Sequence, residues 1–453
     1  MHSINGKPLF AALLLTMLTI KPIDFASAGI ATPLHPLQKP IKTVRNTTAG
    51  DIKKTGQSWT QYGGANRDFF VSPLSRKAER RSGILWKRKL GQGTSGIVSD
   101  GKSLFTLYAE PDPMDAKKQI EVVIALDKTT GQTLWEHRHS IKMLNKQESF
   151  TGDPPRPQAT PALLAGRVCT LGFTGLLQCF DTANGQIVWE HNLVSEFGAT
   201  PVQFGFSSSP LILQNNFVVH IGGKQTALAA FSAATGKVVW KSEPAEPSYA
   251  SPILIQVAGE MQIVQVTRDA ILGISAQDGA TLWSYPMPSL GLTNVPTPIA
   301  LPGQKLLISG QGVLGTHLLE LSTEESRTKV EAVWKNTRTP FFYCNWVADT
   351  ETVYGSVGSF TVGLNLATGE EVWKERGQTD ANLLRVGKEV VLLRGDGLLT
   401  LCSLSSTGLQ SIGSFQILSG RCWTAPTLLG DVLYVRDDKE IAAVGLASLT
   451  QKP

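Results

Sequence analysis

From about Gly93 onward the apolar residues fall in short runs set apart by polar stretches rich in Gly, Asp, Asn and Thr. Pro161–Leu164 (PALL) is followed by Val168–Leu171 (VCTL), and Pro252–Ile255 (PILI) by Gln262–Val266 (QIVQV). Runs this short, bounded by turn residues, read as strands, and no stretch among them carries a helical period. After each pair a third apolar run ends in a fixed pattern. It reads ALDKTTGQTLW at Ala125–Trp135, CFDTANGQIVW at Cys179–Trp189 and AFSAATGKVVW at Ala230–Trp240. It recurs as GISAQDGATLW at Gly273–Trp283 and GLNLATGEEVW at Gly363–Trp373. A polar residue (Asp127, Asp181, Ser232, Ser275 or Asn365) stands four before a glycine (Gly131, Gly185, Gly236, Gly279 or Gly369), and the Trp follows four later. The polar side chain can bond backbone N–H groups of the turn, and the glycine supplies its positive φ. The Trp on the strand beyond can bury about 150–250 Å². Each unit thus predicts four short antiparallel strands in roughly 40–50 residues, the size of one propeller blade.

The spacing of the tryptophans sets the number of blades. Trp86, Trp135, Trp189, Trp240, Trp283, Trp334 and Trp373 lie 49, 54, 51, 43, 51 and 39 residues apart. Seven units run from about Gly93 to Leu418, the last with Phe415 near the place of its Trp. The tail offers three more strands, at Thr424–Leu428, Val432–Val435 and Ile441–Val444, and Ile84–Leu90 (ILWKRKL) is a lone Trp-bearing strand. Joined, they make an eighth blade from both ends of the chain and remove an open sheet edge. The prediction is an all-β, single eight-bladed β-propeller of four-stranded antiparallel blades over residues 58–449, its last blade closed by an N-terminal strand.

Length alone, 453 residues, suggests about three domains; the repeat replaces that with one ring. Lys and Arg number 42 against 37 Asp and Glu, a net charge of +5 that is spread thinly, so nucleic acid is not an expected partner. Residues 1–28 read as a signal peptide: Lys7 precedes the apolar Pro8–Ile20, and Ala26-Ser27-Ala28 forms a cleavage site before Gly29. No comparably long apolar run follows, so no membrane span is expected after cleavage, and the location is periplasmic or secreted. Residues 29–57, with Pro33, Pro36, Pro40 and the sequon at Asn46, read as a flexible tether.

Over nearly all of residues 58–446 the repeat resembles the pyrroloquinoline-quinone (PQQ) repeat of quinoprotein dehydrogenases and BamB-type outer-membrane assembly propellers. Trp59–Asp68 (WTQYGGANRD) is similar to the W-x-x-[FWY]-x-G-x-x-R-D opening of secreted PQQ-like propellers. The resemblance implies the propeller and leaves three functions open. The first is a non-catalytic binding or scaffold module, with a small polar ligand or an envelope protein at the central funnel. The second is a dehydrogenase with PQQ as cofactor, and the third a BamB-like envelope assembly factor using exposed inter-blade loops such as Pro111–Gln119. Quinoprotein dehydrogenases carry a vicinal cysteine pair beside the quinone, whereas Cys169, Cys179, Cys344, Cys402 and Cys422 are isolated. The chain has no CxxCH haem motif, and no quinone or calcium ligand maps onto it by motif. BamB resembles a lipoprotein, and no cysteine lies near Ala26–Ala28.

Other motifs carry little chemistry. Gly91–Gly96 and Gly310–Gly315 spell GxGxxG between strands, where the glycines serve turns and not a dinucleotide. His137 and His139 share one strand face but have no spaced partner in the sequence, so no metal site is expected. No GxSxG or HExxH supports hydrolysis. Cys169 and Cys179 flank a hairpin, and a three-residue loop would set them opposite each other; a disulfide and two buried thiols are both open. The start of each unit's first strand lines the channel of a propeller. Arg156, Ser208, Tyr249, Asn294, Asn345, Asn382 and Trp423 fall there and form the expected ligand-binding funnel mouth. With no paired carboxylates and no base, that ring predicts binding and no catalytic residue; a monomer is expected.

Overall fold

The computed structural model describes residues 58–72, 81–141, 156–287, 294–311, 314–377, 380–405 and 407–449, except the side chains at 116 and 117. The expected signal peptide and tether lie outside them.

Among the described residues the strands assemble into eight sheets, seven of four strands and one of five. Blade two shows the plan: Ala162–Leu164, Arg167–Leu171, Leu176–Asp181 and Ile187–Asn192 run antiparallel from inside to outside. First strands of neighbouring blades touch one another, so they form the inner wall of the ring. The only α-helix among the described residues is the short Leu193–Phe197, capped by Asn192. None is long and apolar enough to cross a membrane.

The repeat residues hold the blades to one another. A Cβ on Gly131 would stand 2.6 Å from the Trp86 ring, one on Gly185 2.6 Å from Trp135, and one on Gly236 2.7 Å from Trp189. The same relation joins Gly279 to Trp240 (2.6 Å) and Gly369 to Trp334 (2.5 Å). Each Trp therefore lies on the turn glycine of the next blade. In four of these five the indole N–H donates into that blade's turn: Trp86 to Lys128 O, Trp135 to Thr182 O and Trp334 to Leu366 O at 2.9 Å, and Trp189 to Ala233 O at 3.0 Å. The polar residue organises the turn, as Asp127 accepts from the N–H groups of Thr129 (2.9 Å) and Thr130 (2.8 Å).

Two exceptions have local causes. Blade five turns through Glu325 and Ser326 at positive φ (48° and 64°) and offers no glycine, so Trp283 turns its N–H to Gln262 Oε1 in its own blade, at 2.8 Å. Trp373 faces blade seven, which has no copy of the motif, and its buried N–H has no partner.

Closure follows the predicted arrangement. Ile84–Lys89 pairs antiparallel with Glu440–Gly445 as the outer strand of blade eight. Ion pairs Arg81–Asp431 (2.8 Å) and Lys87–Glu440 (2.7 Å) fasten it. Trp86 then meets Gly131 of blade one, so the ring is continuous. One expectation is corrected: Pro111–Gln119 is no inter-blade loop. Pro111 pairs with Gln119 and Asp112 with Asp115, extending the hairpin of Ser103–Asp112 and Asp115–Asp127. Strand residues on both sides simply continue the ladder past the blade body.

Candidate functional site

The segment Trp59–Val71 lies across the central channel. Trp59 exchanges two backbone bonds with Ser99 of blade one (2.9 and 2.8 Å), and Leu163 N of blade two donates to Thr60 O at 2.7 Å. Gln61 Oε1 accepts from Ile212 N of blade three at 3.1 Å, and the Tyr62 hydroxyl bonds the Thr297 side chain beside blade five. Arg385 N and Gly387 N of blade seven donate to Phe69 O and Val71 O, both at 2.9 Å. Phe70–Val71 thereby forms a parallel fifth strand on Asn382–Val386. A single short segment thus bonds the inner walls of five blades.

Its opening motif has a direct physical reading. Gly63 and Gly64 hold φ of 70° and 81°, and a Cβ on Gly63 would stand 2.8 Å from the Arg67 backbone, so the turn needs glycine there. The turn aims Arg67 into the wall. Arg67 Nη1 donates to Pro210 O (2.8 Å) and Gln61 Oε1 (3.3 Å), and Nη2 to Ser209 O (3.1 Å). The guanidinium carbon sits 5.5 Å from the centre of the Tyr62 ring. The side chain is 3% exposed, and burial pulls its pKa down to about 9. Asp68 beside it is shifted up by burial, against the Phe70 N–H and the charge of Arg385.

The seven expected funnel residues fall into three groups. Arg156 and Arg421 stack on Trp423 at 5.6 and 4.7 Å, and that indole is 45% exposed. Tyr249 N donates to Asn294 O at 2.9 Å, and the Tyr249 hydroxyl accepts from Phe204 N at 3.0 Å. These give an aromatic and cationic rim. Other side chains are spent on the scaffold: Asn294 Nδ2 donates to Thr267 O and Arg268 O (3.0 and 3.2 Å). Asn345 exchanges two bonds with the Leu383 backbone (2.8 and 2.7 Å). Ser208 and Asn382 are buried, and neither Ser208 Oγ nor Asn382 Nδ2 has a partner. Ser208 shares a cavity of about 10 Å³ with His220, whose unpartnered Nε2 is also buried. One water needs about 10–15 Å³, so that space suits a single bridging water.

The structure adds residues that spacing did not reveal. Gln61, Arg67, Phe204 and Arg421 complete the channel and rim; of these only Arg67 had a signal, its place in the opening motif. His139 has a neighbour after all: Glu121, its cross-strand partner, lies 3.2 Å away, and Glu121 Oε2 accepts from Phe173 N at 2.9 Å. Burial and the nearby His139 lower the pKa of His137. No group of three or more His, Cys, Asp or Glu among the described residues is placed to hold a metal ion. Gly91, Gly93 and Gly96 lie between strands, and Gly310 and Gly315 pair with each other at the ends of the Lys305–Gly310 and Gly315–Glu324 strands, while Gly312 lies outside the described residues. Cys169 and Cys179 face each other directly, both buried as free thiols.

Comparison with known proteins places this geometry. The family model for the outer membrane protein assembly factor BamB matches residues 119–375, more than half of the chain. BamB of Yersinia pestis is 21% identical over 271 residues, 58% of this chain and 67% of its own. BamB of Burkholderia pseudomallei is 26% identical over 125 residues, 27% of this chain and only 28% of its own length. Among solved structures, the quinohemoprotein alcohol dehydrogenase of Comamonas testosteroni has a TM-score of 0.62 at 12% identity, covering 90% of this chain and 84% of that one. A europium-containing methanol dehydrogenase reaches 0.60 at 11% identity, covering 86% and 91%. At such identities the structural likeness speaks for the fold alone. The family match over the tryptophan-docked blades is what places the chain, and it belongs to the PQQ-repeat family of the outer membrane protein assembly factor BamB.

Proposed function

We propose that this protein is an exported, non-catalytic scaffold that docks protein partners at the cell envelope, in the manner its assembly-factor relatives are named for. The observation that carries this reading is the exposed aromatic and cationic rim. No two cysteines adjoin in sequence, so the vicinal pair that quinoprotein dehydrogenases carry has no counterpart here. That departure weighs against the PQQ-dependent dehydrogenase alternative.

The exposed rim supports docking instead. Trp423 between Arg156 and Arg421, with Phe204 and Tyr249 farther round, presents the residue types that anchor interfaces. A small polar ligand at the funnel is the second reading, favoured by the unpartnered amide of Asn382. Residues 1–28 would carry the chain across the inner membrane, and 29–57 would tether the ring.

Deleting the gene in its own host and measuring folded outer-membrane β-barrel proteins tests the proposal. Their level should fall and recover with the wild-type chain but less with a Trp423→Ala, Arg156→Ala chain. Unchanged levels, together with calcium- and PQQ-dependent dye reduction by the purified protein, would overturn it.

A further inference from the structure

Arg67 is a full positive charge buried inside the ring. It makes no ion pair with any described Asp or Glu, and the Asp68 carboxylate is engaged with the Phe70 N–H and the charge of Arg385 instead. Three of its hydrogen bonds end on neutral oxygens, and its Nε has no partner although the side chain is 97% buried. Buried charges are ordinarily matched by an opposite one. The Tyr62 ring offers only a partial substitute.

Arg67 lines the cavity of about 50 Å³, together with Tyr62, Thr297, Tyr343, Cys344 and Asn345. At about 10–15 Å³ for each water the space takes about four waters, or a carboxylate group with one or two carbons. Tyr343 is 76% exposed, so the cavity reaches solvent along that wall. Every other lining side chain is neutral: Asn345 is committed to Leu383 and the Trp346 indole to Thr297 O.

We propose that this cavity is a carboxylate site, in which the Arg67 guanidinium receives a single carboxylate of acetate size. The carboxylate belongs to a small free acid or to the acidic side chain of an inserted partner loop. The site goes beyond the docking rim and does not depend on which partner the rim takes.

Cys344 supplies the readout. It stands in the cavity wall and is the one cysteine that is half-buried while the other four are buried. Burial and the charge of Asp380 push its thiol up to about 12, so alkylation of the native full chain is slow and reports on Cys344 ahead of the rest. In that reaction the thiolate sulfur bonds the reagent's methylene carbon and iodide leaves. Relative to a cysteine peptide, iodoacetate should gain on iodoacetamide at Cys344, because only the former carries the carboxylate. Acetate at ten times its Kd should slow the labelling about tenfold, and acetamide should not. In Arg67→Gln the preference for iodoacetate should vanish. Should that variant not fold, the acetate and acetamide comparison on the wild type decides alone.

Blocked Ala-Glu-Ala and Ala-Gln-Ala peptides separate the sources. Protection by the first but not the second assigns the site to a partner's acidic side chain. Protection by acetate and by neither peptide assigns it to a free acid. Equal effects of acetate and acetamide, no effect of either, or a preference that persists in folded Arg67→Gln would overturn the proposal.

Discussion

Replacing Gly185 by alanine tests the joint that holds the ring together. The glycine sits at φ 72°, and an added Cβ would lie 2.6 Å from two atoms of the Trp135 ring. Two costs follow. A left-handed backbone costs an L-residue about 1–2 kcal/mol, and forcing a methyl into a packed contact adds about 1–3 kcal/mol. Gly166 in the same blade separates them, since it has φ 74° but nothing within 4 Å of where a Cβ would stand. Gly166→Ala should therefore cost about 1–2 kcal/mol, and Gly185→Ala about 2–5 kcal/mol. Urea unfolding followed by circular dichroism, compared at equal m-values, gives both numbers. Trimming the ring in a Gly185→Ala, Trp135→Leu double variant should return part of the excess as a coupling energy. If Gly185→Ala costs no more than Gly166→Ala, the tryptophan does not press on the turn and the account of blade docking is wrong.

Other expectations are as direct. The backbone bonds Gly172 N to Leu176 O and Thr182 N to Gly166 O put Cys169 and Cys179 at the non-hydrogen-bonded register, with Cα atoms about 4.5 Å apart. That spacing is within disulfide reach. Protein exported through an oxidising compartment should thus show three free thiols after denaturation without reductant; five would refute the bridge. Burial lowers the pKa of His220 from 6.5 to about 3, so the unfolded chain binds a proton there that the folded one refuses. Stability should accordingly fall as pH drops from 6.5 toward 3, by at most about 1.4 kcal/mol per pH unit from this group. His220→Gln should flatten that slope in urea titrations at pH 6.5 and 5, and identical slopes would exclude the assignment. Mass spectrometry of the exported protein should find its N-terminus at Gly29, and an intact Met1 would contradict cleavage after Ala28.

What the sequence disclosed was what recurs. The pattern of Asp127, Gly131 and Trp135 recurs in five blades because each solves the same turn, and that turn was legible in the spacing. The lone strand at Ile84 was readable because an incomplete tail needed it. The channel was not readable. Arg67 is held by the carbonyls of Ser209 and Pro210, more than 140 residues away, and a carbonyl looks alike in every residue type. The spacing of Asn294 and Asn345 could not tell that backbone groups already occupy their amides. Glu121 escaped notice beside His139 because only the hairpin register brings them together.

Closure by the Ile84–Lys89 strand also orders events in time. That strand and the Trp59–Val71 segment are synthesised before any complete blade, yet the strand's partners at Glu440–Gly445 come last, and the Arg81–Asp431 bond spans 350 residues. Contacts of such long range form late and slowly. The ring therefore cannot be finished while the chain is still being delivered: until Glu440–Gly445 arrives, the Ile84–Lys89 strand has no ladder to join.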